Sequence, residues 1–338
     1  MVTSDVPSPD QALGARARQS EELSFLWLEL TSTCNLECVH CYADSGPLAG
    51  RQDRLTADDY SNLLSEARRL GCVSVQFIGG EPTTFPGLEH LIGEASDLGF
   101  EFVEVYTNAT HLSSSLLSVI QSRGICVATS FYCDDAAIHD TITGRSGSHQ
   151  RTVKTLARLQ GAQVPLRVGV ISMPQNERHI ESTLGFLRQM GIDNISVDRS
   201  RAVGRASAAG RSLAVIGGPA SRAPTTTPDR SATEPLCGHC HAGRLCVTPS
   251  GAVFPCVMSR SFNVGSVPNQ SLQEILRSDA LSCTRGNMRD FFEERERVGV
   301  RADCSPFECA PKSCRPDCLP GLGCKPMRNR LGPSELRL

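Results

Sequence analysis

Three cysteines, Cys34, Cys38 and Cys41, stand in the run T-C-N-L-E-C-V-H-C-Y with the spacing C-x3-C-x2-C. Three thiolates this close can hold three irons of a 4Fe-4S cube and leave the fourth iron without a protein ligand. An open iron is where a small molecule can bind and react. The competing reading is zinc, because C-x2-C is half of a zinc-binding pattern. The chain carries 16 cysteines in 338 residues, so one triplet alone does not decide between the two.

Further motifs follow in order. I-G-G-E-P spans 78–82, and its Gly79 and Gly80 allow a backbone to approach a ligand closely. Y-T-N-A, at 106–109, has two readings: Thr107 and Asn108 hold a ligand, or Asn108 serves a turn through local hydrogen bonds. T-S-F-Y-C-D-D follows at 129–135, then H-D-T-I-T-G-R-S-G-S at 139–148, then D-R-S-R-A-V-G-R-A at 198–206. Nine cysteines from Cys237 onward read C-x2-C-x5-C-x9-C and, after Cys283, C-x4-C-x4-C-x3-C-x5-C, ending at Cys324. Eight of these would also suffice for two zinc ions.

The elements that must position these motifs alternate. Short apolar runs at 25–30, 73–78, 101–106, 125–130, 164–171 and 194–198 read as strands. Helical patterns at 56–70, 88–98, 113–123, 148–159 and 177–190 lie between them, with Thr56 as an N-cap and Gly71, Gly99, Gly124 and Gly191 as stops. Six such repeats predict an α/β fold with a parallel sheet covered by helices, and each motif falls at a strand end. Residues 204–236 turn to Gly, Ala, Ser, Pro and Thr and read as a linker or substrate-facing loop. From 237 on, one helical stretch is expected, at 271–277, and order there needs metal.

Composition narrows the function classes. A formal net charge of -2 gives no electrostatic case for nucleic acid or an anionic membrane as partner. The first 24 residues are polar, and no run of about 18 apolar residues occurs, so neither a signal peptide nor a transmembrane helix is expected. A cytoplasmic chain this rich in cysteine is expected to hold metal clusters, not disulfides.

The triplet, with His40 before its last cysteine, resembles the signature of the radical S-adenosylmethionine (radical SAM) enzymes, and the order of the later motifs strengthens the likeness. The resemblance implies a partial six-stranded (β/α) barrel at 25–203 after an N-terminal extension at 1–24. It implies that S-adenosylmethionine chelates the open iron and is split by one electron to a 5′-deoxyadenosyl radical. Gly79, Gly80, Glu81 and Pro82 would then hold the methionine amino group, and Thr107, Asn108 and Ser130 would contact the cofactor or substrate. Arg199 and Arg201 would stand near the methionine carboxylate. Tyr132 and Cys133 replace the usual Asp and Gly of relatives, and His139 is expected to have a structural hydrogen-bonding or N-cap role.

The region 237–338 resembles the SPASM extension of peptide-modifying radical SAM enzymes. Carried over by position, a first auxiliary 4Fe-4S cluster would use Cys240, Cys246, Cys256 and Cys318, and a second Cys304, Cys309, Cys314 and Cys324, giving three clusters in all. Of the cysteines left over, Cys72 and Cys126 read as small hydrophobes at strand starts. Cys133 has two readings: hydrogen donor to a substrate radical, or packing.

The implied function is maturation of a ribosomally made precursor peptide, with a crosslink as the outcome. The alternatives are epimerisation, formylglycine formation, or a non-enzymatic iron–sulfur or zinc protein. The implied partners are the precursor peptide and an electron donor such as flavodoxin or ferredoxin. Only 24 residues precede the first strand, so leader recognition is expected of a separate leader-binding protein or of the SPASM surface.

Overall fold

Alternation along the chain builds one sheet. The computed structural model describes residues 23–207, 236 and 242–297. In order, the elements are β1 (Phe25–Glu29), α1 (Ala57–Arg69), β2 (Ser74–Ile78), α2 (Leu88–Asp97), β3 (Phe102–Tyr106), α3 (Ser114–Arg123) and β4 (Cys126–Phe131). There follow α4 (Ala136–Thr143), α5 (Ser148–Gly161), β5 (Leu166–Ser172), α6 (Ile180–Gln189) and β6 (Ile195–Arg199). The first six strands pair with their sequence neighbours, every pairing parallel.

Local sequence sets the helix ends. Thr56 caps α1 in a reciprocal box with Asp59, Ser113 accepts from the Leu116 N–H, and Gly124 ends α3 at φ 64°, where a side chain would be strained. The sequence pattern did not anticipate α4, an eight-residue helix. Its start is marked by Asp135, whose carboxylate accepts from the N–H groups of Ala137 and Ile138.

The period of two divides each strand between two environments. Leu26, Leu28, Val75, Phe77, Val103, Val105 and Val127 face the helices and form the main core with Leu64, Leu91, Ile92 and Ile120. Leu26 and Leu28 have no exposed surface, and each such side chain contributes about 1.5–3 kcal/mol by leaving water. Their alternates, among them Gln76, Tyr106, Ser130, Arg167 and Ser196, line a single cavity on the other face. That face is the lumen of a partial barrel.

The C-terminal segment joins the same sheet. Strand β7 (Arg244–Val247) lies parallel on β1, and β8 (Ala252–Phe254) and β9 (Gly265–Ser266) continue antiparallel, giving the order β6-β5-β4-β3-β2-β1-β7-β8-β9. Helices α7 (Leu272–Leu276) and α8 (Asp279–Arg297) follow. A single helix was expected here. The 19-residue α8 is too polar to show a strong apolar stripe, yet it carries Met288 and Phe292 against Phe25, Trp27 and Phe102 on the inner face of the sheet. No helix among the described residues is long and apolar enough to cross a membrane.

Candidate active site

The cysteine triplet follows β1 as a loop held by backbone contacts on three sides. Glu37 and Val39 N–H groups donate to the carbonyls of Thr143 and Ile142 at the end of α4, each at 3.0 Å. Gly80 N–H donates to Thr31 O at 2.6 Å and Glu81 N–H to Thr33 O at 2.8 Å. From the far side Arg205 N–H donates to Cys41 O at 3.0 Å, while its guanidinium donates to Cys38 O at 2.9 Å and Ser45 O at 2.7 Å and pairs with Asp44 at 2.8 Å. Arg205 falls in the stretch expected to be linker from 204 on. The barrel unit therefore extends at least to Ser207, whose N–H closes a short turn onto Gly204 O.

The donor set fits an iron–sulfur cube. The Leu36 N–H points at Cys34 Sγ at 3.4 Å and the Ser45 N–H at Cys41 Sγ at 3.3 Å, with Asn108 Nδ2 3.8 Å from Cys34 Sγ. Such bonds stabilise thiolates, the form that binds metal. The Cys34 and Cys38 thiols are pushed up to about 12, chiefly by burial, with the charge of Cys41 contributing to both. A bound cation would favour the thiolate form of these buried cysteines.

Both motif glycines are demanded by the cysteine loop itself. Gly79 has φ 144°, and a Cβ there would stand 2.6 Å from Thr31 O. A Cβ on Gly80 would collide with the backbone of Thr33. Glu81 is 1% exposed and does not line the cavity, nor does Pro82. Its carboxylate accepts from Thr107 Oγ1 at 2.6 Å, Asn108 N–H at 2.7 Å and Thr83 N–H at 3.1 Å. Burial raises its pKa against the pull of those bonds. The geometry gives Glu81 the role of fixing the 107–108 turn, in contrast to the direct ligand contact expected for it. Asn108 in turn donates to Asn35 Oδ1 at 2.7 Å, so the turn is tied to the cysteine loop, and both Thr107 and Asn108 line the cavity.

The cavity, of about 200 Å³, is lined by Cys34, Cys38, Cys41, Gly79, Gly80 and Ser130, together with Arg199 and Arg201. The expected residues are thus brought together, apart from Glu81, Pro82 and Cys133. His40 stands beside the cysteines with its ring 4.9 Å from that of Tyr132; burial, then the Arg205 charge, lowers its pKa to about 4, so it is neutral at pH 7. The lumen floor is a polar network the motifs did not show. Arg167 grips Glu104 with two bonds of 2.8 and 2.7 Å, Gln76 bonds the same carboxylate, and Tyr106 OH shares a 2.8 Å bond with Ser130 Oγ. The signal was a Glu and an Arg at lumen-facing positions of otherwise apolar strands.

Cys133 lies elsewhere. Ser130 and Tyr132 line the cavity, and Cys133, one residue further on, does not. Its thiol is fully buried and 3.7 Å from Asp134 Oδ1. A donor to a substrate in the lumen must reach the lumen, so the packing reading fits this placement. His139 is 1% exposed within α4, and the N-cap of that helix is Asp135. Cys72 is buried before β2, whereas Cys126 is only half-buried and packs against the inner-face cluster.

Of the auxiliary cysteines, Cys246 on β7 and Cys256 after β8 are described, and both are buried. Burial raises the Cys246 pKa well above its usual value, followed by the charge of Glu29. Glu29 accepts from Tyr42 OH at 3.0 Å and pairs with Arg260, whose guanidinium carbon sits 5.3 Å from the Tyr42 ring. Tyr42 follows Cys41 and Arg260 follows Cys256, so this buried trio joins the two cysteine regions. Cys240, Cys304, Cys309, Cys314, Cys318 and Cys324 lie outside the described residues, so the second auxiliary set and half of the first are not seen.

Residues 28–187 match the radical SAM superfamily model, and residues 234–318 match the SPASM iron-sulfur cluster-binding domain. The chain belongs to the radical SAM superfamily and carries a SPASM extension. Among curated proteins it is similar to the PqqA peptide cyclase of Bradyrhizobium diazoefficiens, 30% identical over 177 residues, covering 51% of this chain and 44% of that one. The chain spans about half the length of the curated relatives it matches. Among solved structures it resembles Streptococcus suis SuiB bound to precursor peptide SuiA, with TM-score 0.62, 16% identity and coverage of 86% of this chain and 75% of that one. It also resembles native anSMEcpe with bound AdoMet, with TM-score 0.59, 13% identity and coverage of 81% and 86%. These likenesses confirm the α/β partial barrel.

Proposed function

We propose that the chain is a radical SAM/SPASM maturase that reductively cleaves S-adenosylmethionine and takes a hydrogen atom from a ribosomally made precursor peptide to form a crosslink. The observation that carries this reading is the convergence of Cys34, Cys38 and Cys41 with Gly79, Gly80, Asn108 and Ser130 on one cavity inside a parallel barrel. When bound, the cluster and S-adenosylmethionine supply a carbon radical. The chain's own groups bind, orient and exclude water. Cys34, Cys38 and Cys41 hold the cluster, the backbone around Gly79 and Gly80 takes the methionine end, and Ser130, held by Tyr106, faces the nucleoside or substrate.

The cyclase relatives and the SuiA-bound neighbour support a peptide as substrate. Cys133, the hydrogen donor considered for the epimerase reading, does not line the cavity. In the same reading the eight C-terminal ligands hold two auxiliary clusters that take up the electron left by oxidative bond formation. Reduction comes from a flavodoxin or ferredoxin, and leader recognition from a separate protein or from the SPASM surface, in the reducing cytoplasm where thiols stay free.

The test is co-expression with the short peptides encoded beside the chain, followed by mass spectrometry in water and in deuterium oxide. The proposal expects a product two hydrogens lighter. A product of unchanged composition that gains one solvent deuterium would overturn the crosslink.

A further inference from the structure

A second group of ligand-type side chains meets on the rim of the barrel, outside the lumen. Cys133, Asp134 and His179 each offer one ligand atom, and the three atoms lie within 4.8 Å of one another. Cys133 Sγ is 3.7 Å from Asp134 Oδ1, and His179 Nδ1 is 3.9 Å from the same oxygen. Zinc–ligand bonds of about 2.0–2.3 Å in a tetrahedron put ligand atoms roughly 3.3–3.5 Å apart. The third separation is at most 4.8 Å, so closing the triangle needs side-chain shifts on the order of an ångström or less. None of the three lines the cluster cavity.

The frame beneath them is preorganised. Cys133 and Asp134 follow β4, and His179 follows β5, so the group bridges two loops at one end of the barrel. Asn176, fully buried, bolts those loops together: its Nδ2 donates to Tyr132 O at 2.5 Å and Ile171 O at 2.8 Å, and its Oδ1 accepts from Met173 N–H at 2.8 Å. Asp134 Oδ1 accepts from Ser182 Oγ and Thr183 Oγ1, each at 3.0 Å, the kind of outer contact that orients a ligating carboxylate.

We propose that Cys133, Asp134 and His179 form a binding site for one zinc-class divalent transition metal, which pins the two rim loops. One thiolate, one imidazole and one carboxylate suit zinc and exclude the all-oxygen preference of magnesium and calcium. The Cys133 thiol is buried, whereas the His179 and Asp134 side chains are 39% and 26% exposed, so the fourth position faces solvent. Tyr132, next to Cys133, lines the cavity, so a metal here would brace that wall from behind. Binding would displace the Cys133 proton.

The test uses the full chain with its iron–sulfur clusters reconstituted. Zinc is added, the protein desalted, zinc and iron counted by mass spectrometry, and the zinc shell read by X-ray absorption at the zinc edge. The wild type should retain about one zinc per chain, in a shell of one sulfur and three nitrogen or oxygen atoms, with iron unchanged. His179→Ala and Cys133→Ser should each weaken zinc at least about tenfold, with circular dichroism and iron unchanged. Zinc retained equally by wild type and His179→Ala would overturn the proposal, as would an all-sulfur zinc shell gained at the expense of iron. Cluster loading is read by the iron count, so it stands or falls separately from this site.

Discussion

The Arg205 guanidinium donates to the carbonyl oxygen of Cys38 at 2.9 Å, across 167 residues of chain. It also holds Ser45 O and Asp44, so one side chain from beyond the last barrel strand gathers both ends of the second half of the cysteine loop. Gly204 makes this approach possible, because a Cβ there would collide with the carbonyls of Cys41 and Tyr42.

Arg205→Met is therefore expected to loosen the cysteine loop. Hydrogen bonds from a charged donor contribute about 1.5–3 kcal/mol each in buried settings, and partial exposure reduces the total loss to about 1–2 kcal/mol. Iron counting and electron paramagnetic resonance should show weaker retention of the cluster on Cys34, Cys38 and Cys41, with auxiliary iron unchanged. Arg205→Lys should not rescue it, because a point charge cannot reproduce a three-way fork.

Gly80→Ala tests why the motif glycine is required. The added methyl must push the Thr33 backbone, and with it the start of the cysteine loop. Cluster retention is expected to fall even without S-adenosylmethionine. Gly93→Ala, on an open face of α2, is the control, expected to stabilise by about 0.4–1 kcal/mol in a denaturant titration.

Much of this architecture was legible beforehand, for definite reasons. The strand and helix alternation, Thr56 as a cap and the strand-end location of the motifs all depend on local periodicity and turn chemistry. Arg205 was not legible, because one Arg in a Gly- and Ala-rich stretch carries no pattern and its role is a contact across 167 residues. The polarity of α8 concealed it, since only a few of its side chains pack inward. Of the two readings of Cys133, packing agrees with its place: Ser130 and Tyr132 line the lumen and Cys133 does not.

The buried pair on the lumen floor predicts a large asymmetry. Arg167 and Glu104 side chains are 5% and 0% exposed. Arg167→Met leaves a buried carboxylate uncompensated and should cost about 3–5 kcal/mol by chemical denaturation. Arg167→Met combined with Glu104→Gln should recover much of that loss.

Acid should destabilise the apo-protein through His139. Burial, then the nearby His149, lowers its folded pKa to about 4 from 6.5. Between those values the unfolded chain binds the extra proton, so stability is full above 6.5 and falls as pH drops toward 4. The contribution is about 3 kcal/mol at its limit. His139→Phe should flatten the pH dependence of the denaturation midpoint over that window, and an unchanged slope would remove His139 as a cause.

Cleavage of S-adenosylmethionine tests the central claim most directly. Anaerobically reconstituted protein, reduced with a strong reductant, should convert it to 5′-deoxyadenosine and methionine, measured by liquid chromatography. The variant with Cys34, Cys38 and Cys41 all replaced by Ala should form none while keeping its auxiliary iron. 5′-Deoxyadenosine formed by that variant, or none formed by wild type with its clusters intact, would contradict the account.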